Sequence, residues 1–129
     1  MTGPGYAGTG RPVIALAALG RANLASMAAA LERAGAVPMH TDDPRVVMEA
    51  EYALLPGVGA FGPVADRLRA TGLDAAFRER VRLGLPTMGV CLGMQLFFRS
   101  SEESPGARGM GALPGELSRF RDVAVPQFG

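Results

Sequence analysis

The chain's single cysteine, Cys91, lies where a predicted strand turns sharply into a predicted helix. The apolar residues 85–90 predict a buried strand, and residues 92–98 predict a helix because no turn residue follows Gly93. The first turn of a helix favours the thiolate, which is the nucleophilic form of cysteine. Gly89 and Gly93 flank Cys91 as glycines flank the reactive residue of a nucleophile elbow. This segment predicts a nucleophile, although a lone cysteine can also be a small buried apolar residue.

A glycine-rich loop is predicted at residues 56–62, after the third strand. Because functional groups gather at the carboxyl ends of parallel strands, we expect this loop to lie near Cys91. Its backbone N–H groups, together with the N–H of Leu92, could hold the oxygen that becomes negative during acyl transfer. The loop has neither the P-loop lysine nor the full GxGxxG spacing, so phosphate binding is a weak interpretation. Taken alone, it is also compatible with an ordinary strand-to-helix turn.

A cysteine nucleophile normally works with an imidazole base, and the chain has one histidine, His40. His40 is predicted at the end of the second strand. In the usual 2-1-3-4 strand order it lies three strands from Cys91, about 14 Å, which is too far for direct proton transfer. We therefore expect His40 to be a polar strand-end residue. Asp42 and Asp43 are expected to hold the turn before Pro44 through their side-chain oxygens.

Short apolar strands alternate with amphipathic helical segments along the chain, a pattern typical of βαβ units. It predicts an α/β fold with an open, mostly parallel sheet and helices on both faces. Asn23 and Asp74 are the predicted N-caps of two helices, and Gly35 is expected to end the first. The predicted strands are residues 13–19, 36–39, 52–55, 85–90 and 115–120, and a polar loop is predicted at 99–111.

The composition limits the functions that the chain can have. Of its 129 residues, 48% are hydrophobic and 19% are charged, which predicts one packed domain. The net charge of +1 and the scattered aromatic residues predict no nucleic-acid binding. One histidine and one cysteine far apart predict no metal site, and no cofactor is expected. With one cysteine, no signal pattern and no apolar span of membrane length, we expect a cytoplasmic protein without a membrane segment.

The two ends of the chain differ in character. Residues 1–11 are rich in Gly, Thr and Pro and predict a flexible tail. Residues 123–129 are apolar and offer neither a helix cap nor a closing helix. We therefore expect residues 12–129 to be the N-terminal portion of a single domain whose C-terminal part is missing. Such a chain would expose an unpaired strand edge and an apolar face, and would self-associate.

Four segments resemble the glutaminase subunits of imidazole glycerol phosphate synthase, a class I glutamine amidotransferase family of histidine biosynthesis. They are Leu-Pro-Gly-Val-Gly-Ala-Phe-Gly at 55–62, Gly-Val-Cys-Leu-Gly-Met-Gln at 89–95, Ser-Ser-Glu-Glu-Ser-Pro-Gly at 100–106 and Gly-Met-Gly-Ala-Leu-Pro-Gly at 109–115. Many class I amidotransferases share the second segment. The other three, in this order, look like this subunit in particular, and the resemblance runs from about Pro12 to Gly129.

The resemblance implies that Cys91 attacks the side-chain amide of glutamine, releases ammonia and forms a glutamyl thioester that water hydrolyses. It implies a domain of the class I amidotransferase fold. It also implies a (β/α)8 cyclase partner, which uses the ammonia to make imidazole glycerol phosphate and an aminoimidazole carboxamide ribotide. The remaining site residues are implied position by position, with the backbone of Val58, Gly59 and Leu92 as the oxyanion hole and Gly57 and Gln95 as contacts to glutamine.

Three departures from the family pattern matter. The family's catalytic His and Glu occur beyond the segment matched here, so this chain alone is expected to be nearly inactive. The family's Asp-Tyr-Gly-x-Gly-Asn after the first strand is replaced by Ala-Leu-Gly-Arg-Ala-Asn at 18–23. Gln127 stands where the family commonly has His, near the surface that meets the cyclase, so an altered partner affinity is expected.

Two alternative functions stay open at this point. One is the glutaminase domain of another class I amidotransferase, which would donate ammonia to nucleotide, folate or tryptophan precursors. Many of those have His where this chain has Met94, so Met94 favours the histidine pathway. The other is a non-catalytic α/β interaction module, which the missing imidazole base favours.

Overall fold

The computed structural model describes residues 10–19 and 24–123. Within these ranges four β-strands alternate with α-helices, which confirms the predicted α/β fold. The longest helix there has 11 residues, and none is long and apolar enough to cross a membrane. In chain order the elements are β1 (Val13–Ala17), α1 (Leu24–Arg33), β2 (Val37–Thr41), α2 (Pro44–Glu49), β3 (Tyr52–Gly57), α3 (Phe61–Thr71), α4 (Leu73–Arg82), β4 (Thr87–Cys91) and α5 (Leu92–Gln95).

The four strands form one parallel sheet in the order β2-β1-β3-β4, which confirms the predicted strand order. Leu16 of β1 lies between His40 of β2 and Leu54 of β3. At the other side of β3, Gly57 pairs with Cys91 of β4. Helical crossovers return the chain to the same end of the sheet each time, so all four carboxyl ends lie together.

Successive strand residues pack on opposite faces of the sheet. Ala15 and Leu55 belong to a large buried cluster that also contains residues of α2, α3 and α4. Leu16 and Leu54 belong to a smaller cluster with Ala28 of α1. Helices therefore cover both faces, as predicted. Helix residues of the larger cluster include Val47, Phe61, Val64, Leu68, Leu73 and Phe77.

A left-handed glycine separates α3 from α4. Gly72 has a φ of 79°, ends α3 and immediately precedes α4. The predicted N-cap role of Asp74 is wrong, because the chain turns at Gly72, where a positive φ causes no steric conflict, and α4 has begun before Asp74. Asp74 instead lies in the first turn and pairs with Arg78 at 3.6 Å. Helix α1 ends before Gly35 as predicted, and Asn23 lies outside the described residues.

The predicted loop at 56–62 is shorter than expected. β3 continues through Pro56 and Gly57, because both residues pair in register with β4, so only residues 58–60 connect β3 to α3. The predicted strand at 115–120 is wrong, since this segment forms only an isolated bridge between Ser101 and Leu117. The N–H of Arg119 donates to the Glu102 carboxylate at 2.8 Å, so a side chain takes the place of a strand neighbour there.

Helix α5 is also shorter than predicted, ending at Gln95 and not at residue 98. The carbonyl oxygens of Leu96 and Phe97 accept hydrogen bonds from the N–H groups of Met110 at 2.8 Å and Leu113 at 3.0 Å. If α5 continued, these carbonyls would accept hydrogen bonds from the N–H groups of its next turn. The returning segment therefore ends α5 by occupying its acceptors.

Arg80 of α4 is fully buried beneath the amino ends of β3 and β4. Burial disfavours the charged form and lowers the pKa of Arg80 below its ordinary value. The guanidinium remains hydrogen-bonded to groups on α2 and at the starts of both strands, which joins three elements through one side chain. Its acceptors include the carbonyls of Val47 (2.8 Å), Ala50 (2.6 Å), Glu51 (3.0 Å) and Pro86 (2.7 Å) and the hydroxyl of Thr87 (3.1 Å).

Replacing Arg80 tests this role. Arg80→Ala is expected to lower the free energy of unfolding by at least about 3 kcal/mol, because it leaves buried carbonyls unpaired and opens a cavity. Arg82→Ala is the matched control, since Arg82 pairs with Glu79 at the surface and should contribute less than about 1 kcal/mol. Urea denaturation followed by circular dichroism measures both values. An equal decrease in the free energy of unfolding in the two variants would contradict the stabilising role of Arg80.

The backbone of α5 crosses β3 without space for a side chain. A Cβ on Gly93 would lie 1.9 Å from the carbonyl oxygen of Leu55, and a Cβ on Gly57 would lie 2.7 Å from the nitrogen of Gly93. A Cβ on Gly89 would lie 2.6 Å from the Cα of Met94. Folded interiors are close-packed and do not accommodate such overlaps. These three glycines therefore allow α5 to begin directly against β3 and β4.

Gly93→Ala is expected to destabilise the chain by about 3 kcal/mol or more, because the methyl group would meet rigid backbone. Gly62→Ala in α3 is the control, since its Cβ would lie 3.4 Å from the nearest atom, the Cβ of Ala107. Alanine is preferred to glycine within a helix, so the control should be between unchanged and about 1 kcal/mol more stable. Thermal unfolding distinguishes the two variants, and equal stability would show that α5 can move away from β3.

Candidate active site

Cys91 is the last residue of β4 and immediately precedes α5. Its φ of 55° and ψ of −124° lie outside the regions that side chains usually adopt. Such a conformation costs about 1–3 kcal/mol and persists where the surrounding structure imposes it. The thiol is free, and the residue is exposed. The structure thus places the predicted cysteine in a strained turn, accessible to a reactant.

The candidate oxyanion donors lie at the carboxyl ends of β3 and β4. Gly57 is beside Cys91 in the sheet, and Val58 and Gly59 follow Gly57 directly. Gly59 has a φ of 103°, a left-handed conformation that a side chain would strain. Leu92 is the first residue of α5, and the N–H groups of a first helical turn have no partner within their helix. Backbone donors from both strand ends are therefore available near the thiol.

A cavity of about 260 Å³ opens beside Cys91. Two strand ends form one side of it, and α1 forms the other. Among the described residues that line it, Cys91 is the only titratable one, so the walls are largely apolar. The lining residues are Pro56, Gly57 and Val58 from β3 and the following loop, Val90 and Cys91 from β4, and Ser26, Met27 and Ala30 from α1.

The predicted site residues separate into two groups. Gly57, Val58 and Cys91 share this cavity. Gly59 and Leu92 do not line it, although each directly follows a residue that does. Gln95 lies at the end of α5, is half-buried and does not line the cavity. The structure therefore brings the nucleophile and the glycine loop together but does not place Gln95 with them.

His40 and its neighbours lie at the opposite edge of the sheet. His40 is exposed on β2, and β1 and β3 stand between it and β4, as predicted. Asp43 caps α2, with its Oδ1 accepting from the N–H of Arg45 at 2.9 Å, which confirms its turn role. That hydrogen bond, supported by the Arg45 guanidinium, lowers the pKa of Asp43. Neither residue lies where it could act as a base for Cys91.

Sequence reasoning missed the contribution of α1. Ser26, Met27 and Ala30 carry no motif, and the helix was predicted only as a crossover between strands. Their place in the cavity follows from the right-handed return of the chain over the sheet, which lays α1 on the face that Val90 also contacts. The sequence offers one signal for this role, which is the position of α1 directly after β1. A helix that follows β1 must begin near the carboxyl ends of the strands.

Comparison with solved structures supports the fold. A protein described as "Crystal structure of glutamine amidotransferase" superposes with a TM-score of 0.70 at 20% identity, covering 82% of this chain and 56% of that chain. A putative peptidase E from Listeria monocytogenes superposes with a TM-score of 0.56 at 16% identity, covering 69% of this chain and 50% of that chain. At these identities the likeness concerns the fold alone.

Comparison with known sequences is more specific. The chain is 44% identical to imidazole glycerol phosphate synthase subunit HisH of Thermus thermophilus over 110 residues, which is 85% of this chain and 56% of the relative. It is 40% identical to the subunit of the same name from Nostoc punctiforme over 121 residues, covering 92% of this chain and 57% of the relative. The chain therefore spans little more than half the length of these relatives.

A family model covers every element of the described fold after β1. The model described as glutamine amidotransferase class-I matches residues 21–123, which include the strand-end glycines, Cys91 and the segment that ends α5. A match over this share of the chain, together with the parallel sheet and the exposed cysteine elbow, establishes the relationship. The chain belongs to the class I glutamine amidotransferase family.

Proposed function

We propose that this chain carries the glutamine-hydrolysing site of an amidotransferase, with Cys91 as the nucleophile. The observation that carries the proposal is the pairing of Cys91 with Gly57 at the carboxyl ends of β4 and β3, beside a shared cavity of about 260 Å³. A glutamine side chain entering this cavity would meet an exposed thiol and backbone donors together. Membership of the family supports the choice of glutamine as substrate.

The proposed reaction is an acyl transfer through the Cys91 sulfur. The Sγ atom attacks the side-chain carbonyl carbon of glutamine, forming a tetrahedral intermediate with a negative oxygen. The carbon–nitrogen bond then breaks, and the nitrogen leaves as ammonia after taking up a proton. The resulting glutamyl thioester reacts with water, which yields glutamate and restores the thiol. The strained turn at Cys91 supports this role because it holds the sulfur exposed at the end of the strand.

We assign the stabilisation of the negative oxygen to backbone N–H groups of Val58, Gly59 and Leu92. Such donors act most strongly when they are already aimed at the position where charge develops. The left-handed Gly59 and the close contact of Gly93 with Leu55 support this assignment, because both restrict the backbone at the strand ends. Gly57, which lines the cavity, is the proposed contact to glutamine.

Proton transfer needs a group that the cavity walls do not supply. Thiol activation requires a base, and release of ammonia requires an acid. Cys91 is the only titratable residue among the described residues lining the cavity. We propose that the acid–base group comes from polypeptide outside residues 10–19 and 24–123.

We further propose that the ammonia passes to a cyclase partner with a (β/α)8 barrel, as part of imidazole glycerol phosphate synthesis. The names of the relatives at 40–44% identity support this pathway over other amidotransferases, because each is described as a subunit of that synthase. A cytoplasmic location would suit the proposal, since a reducing compartment keeps the single thiol free.

Glutamine is expected to protect Cys91 from alkylation. Iodoacetamide should label Cys91 in the folded chain, and glutamine at about ten times its dissociation constant should slow the reaction about tenfold, because the occupied cavity excludes the reagent. Mass spectrometry over a time course measures the rate. Asparagine, which is one methylene shorter, should protect much less.

Two variants make this measurement specific to the proposed site. Gly59→Ala should lose the protection, because its side chain strains the left-handed backbone that aims the donors. Val58→Ala should retain it, because Val58 is half exposed and its backbone N–H is preserved. Equal protection by glutamine and asparagine, or no protection at all, would contradict the proposal.

The isolated 129-residue chain is expected to hydrolyse glutamine far more slowly than about 1 per second, because no described base lines the cavity. His40→Ala should leave the residual rate unchanged, since His40 lies on β2 at the other edge of the sheet. Glutamate release measured with an enzyme-coupled assay tests both points. Turnover of about 1 per second or faster that His40→Ala abolishes would show that the histidine reaches Cys91.

A further inference from the structure

The cavity beside Cys91 has one wall that is fixed by backbone contacts and one wall that is made of side chains. On the strand side, the backbone of Gly93 lies against the Leu55 carbonyl, and no larger side chain fits between them. On the opposite side, three side chains of α1 line the cavity. Because close-packed backbone leaves no freedom on the strand side, the α1 side chains determine the space that a ligand meets.

Helix α1 is held in place against the sheet. Ala28 is buried in a cluster with Leu16 of β1 and Leu54 of β3, and Met27 packs against the same cluster. Val90, which lines the cavity next to Cys91, packs there as well. A shift of α1 would open voids in this close-packed cluster. A larger side chain on the cavity face of α1 must therefore occupy the cavity itself.

Ser26 has the only hydroxyl among the described residues that line the cavity. The residue is exposed, so a ligand can reach it, and a serine hydroxyl both donates and accepts hydrogen bonds. The proposed reaction places the amide of glutamine at the strand ends, beside Cys91. Because α1 lies across the cavity from the strand ends, the charged α-ammonium and α-carboxylate groups of the same molecule extend toward Ser26.

Ala30 lies one helical turn after Ser26 on the same face of α1, about 6 Å along the helix axis. It also lines the cavity, and its side chain is a single methyl group. The volume of about 260 Å³ is just below the range of about 300–1,000 Å³ for cavities that bind drug-sized ligands. The cavity therefore suits a free amino acid and has little space to lose at position 30.

We propose that α1 selects the substrate of this site, with Ser26 hydrogen-bonding the α-amino-acid end of glutamine and Ala30 leaving space for its chain. This inference rests on the proposed glutamine-hydrolysing function and adds two substrate-contacting residues to it. The ligand class is a free amino acid with a side-chain amide. An amide without the charged groups gains nothing from the Ser26 hydroxyl.

Protection of Cys91 from iodoacetamide tests the role of Ser26, with the dissociation constant of each ligand taken from the concentration that halves the labelling rate. Ser26→Ala should raise the dissociation constant of glutamine about tenfold, because a hydrogen bond to a charged group is lost. Butanamide, which is glutamine without its α-ammonium and α-carboxylate groups, is the matched probe. Its dissociation constant should be the same in Ser26→Ala and in the unaltered chain.

The same measurement tests Ala30. Ala30→Leu should weaken glutamine binding at least about tenfold, because three added carbon atoms occupy space that the ligand needs. Ala25→Leu is the control, since Ala25 is an exposed alanine of α1 that does not line the cavity. Both leucine variants should keep the melting temperature of the unaltered chain, because leucine is nearly as favourable in a helix as alanine.

The outcomes separate this inference from the proposed function. If glutamine protects the unaltered chain but binds equally well to Ser26→Ala and Ala30→Leu, the role of α1 is overturned and the glutamine site stands. Weakening of glutamine and butanamide by the same factor in Ser26→Ala would also overturn the assignment of Ser26 to the charged end. No protection of the unaltered chain would remove the proposed function, and the selection by α1 with it.

Discussion

The structure depends on a contact between backbones, where α5 begins against β3 without an intervening side chain. The 1.9 Å that would separate a Cβ on Gly93 from the Leu55 carbonyl oxygen means that only glycine fits there. This contact holds the start of α5 within reach of the Gly57 backbone, and the chain must therefore turn sharply at Cys91. The positive φ of Cys91 is a consequence of that turn. Packing of the glycines thus imposes the geometry that exposes the thiol.

The opposite end of the sheet is fixed by a different interaction. Arg80 is buried without a carboxylate among the acceptors described for it, and its charge is compensated by carbonyl dipoles at the starts of β3 and β4. A cation bound in this way is costly to desolvate but stabilised when every N–H finds an acceptor. The two strands that carry the candidate site are thus held at both ends. Their carboxyl ends can then present Gly57 and Cys91 in a constant register.

The candidate site lies at the carboxyl ends of two neighbouring strands. β4 ends in the candidate nucleophile, and β3 ends in Gly57, its partner in the sheet. On the side of the cavity, α1 provides a wall, so the described part of the site is enclosed between α1 and the ends of β3 and β4. Acid–base chemistry has no described residue within that enclosure other than Cys91. The arrangement therefore supplies a nucleophile and backbone donors, while proton transfer depends on groups beyond the described residues.

The sequence by itself determined the α/β class, the location of the elbow and the family, because these follow from local signals. The strand order was predicted only as the usual order of such sheets, and the structure has that order. Alternating apolar segments specify βαβ units, and the glycines around Cys91 specify a tight turn. Only the tertiary structure decided the end of α5 and the absence of a strand at residues 115–120. Both depend on distant partners, since Met110 takes the Leu96 carbonyl and Glu102 takes the Arg119 N–H. The tertiary structure also decided that α1 lines the cavity and that Gln95 does not. The packing of helices on the sheet determines which side chains share a cavity, and the order of residues along the chain does not show this.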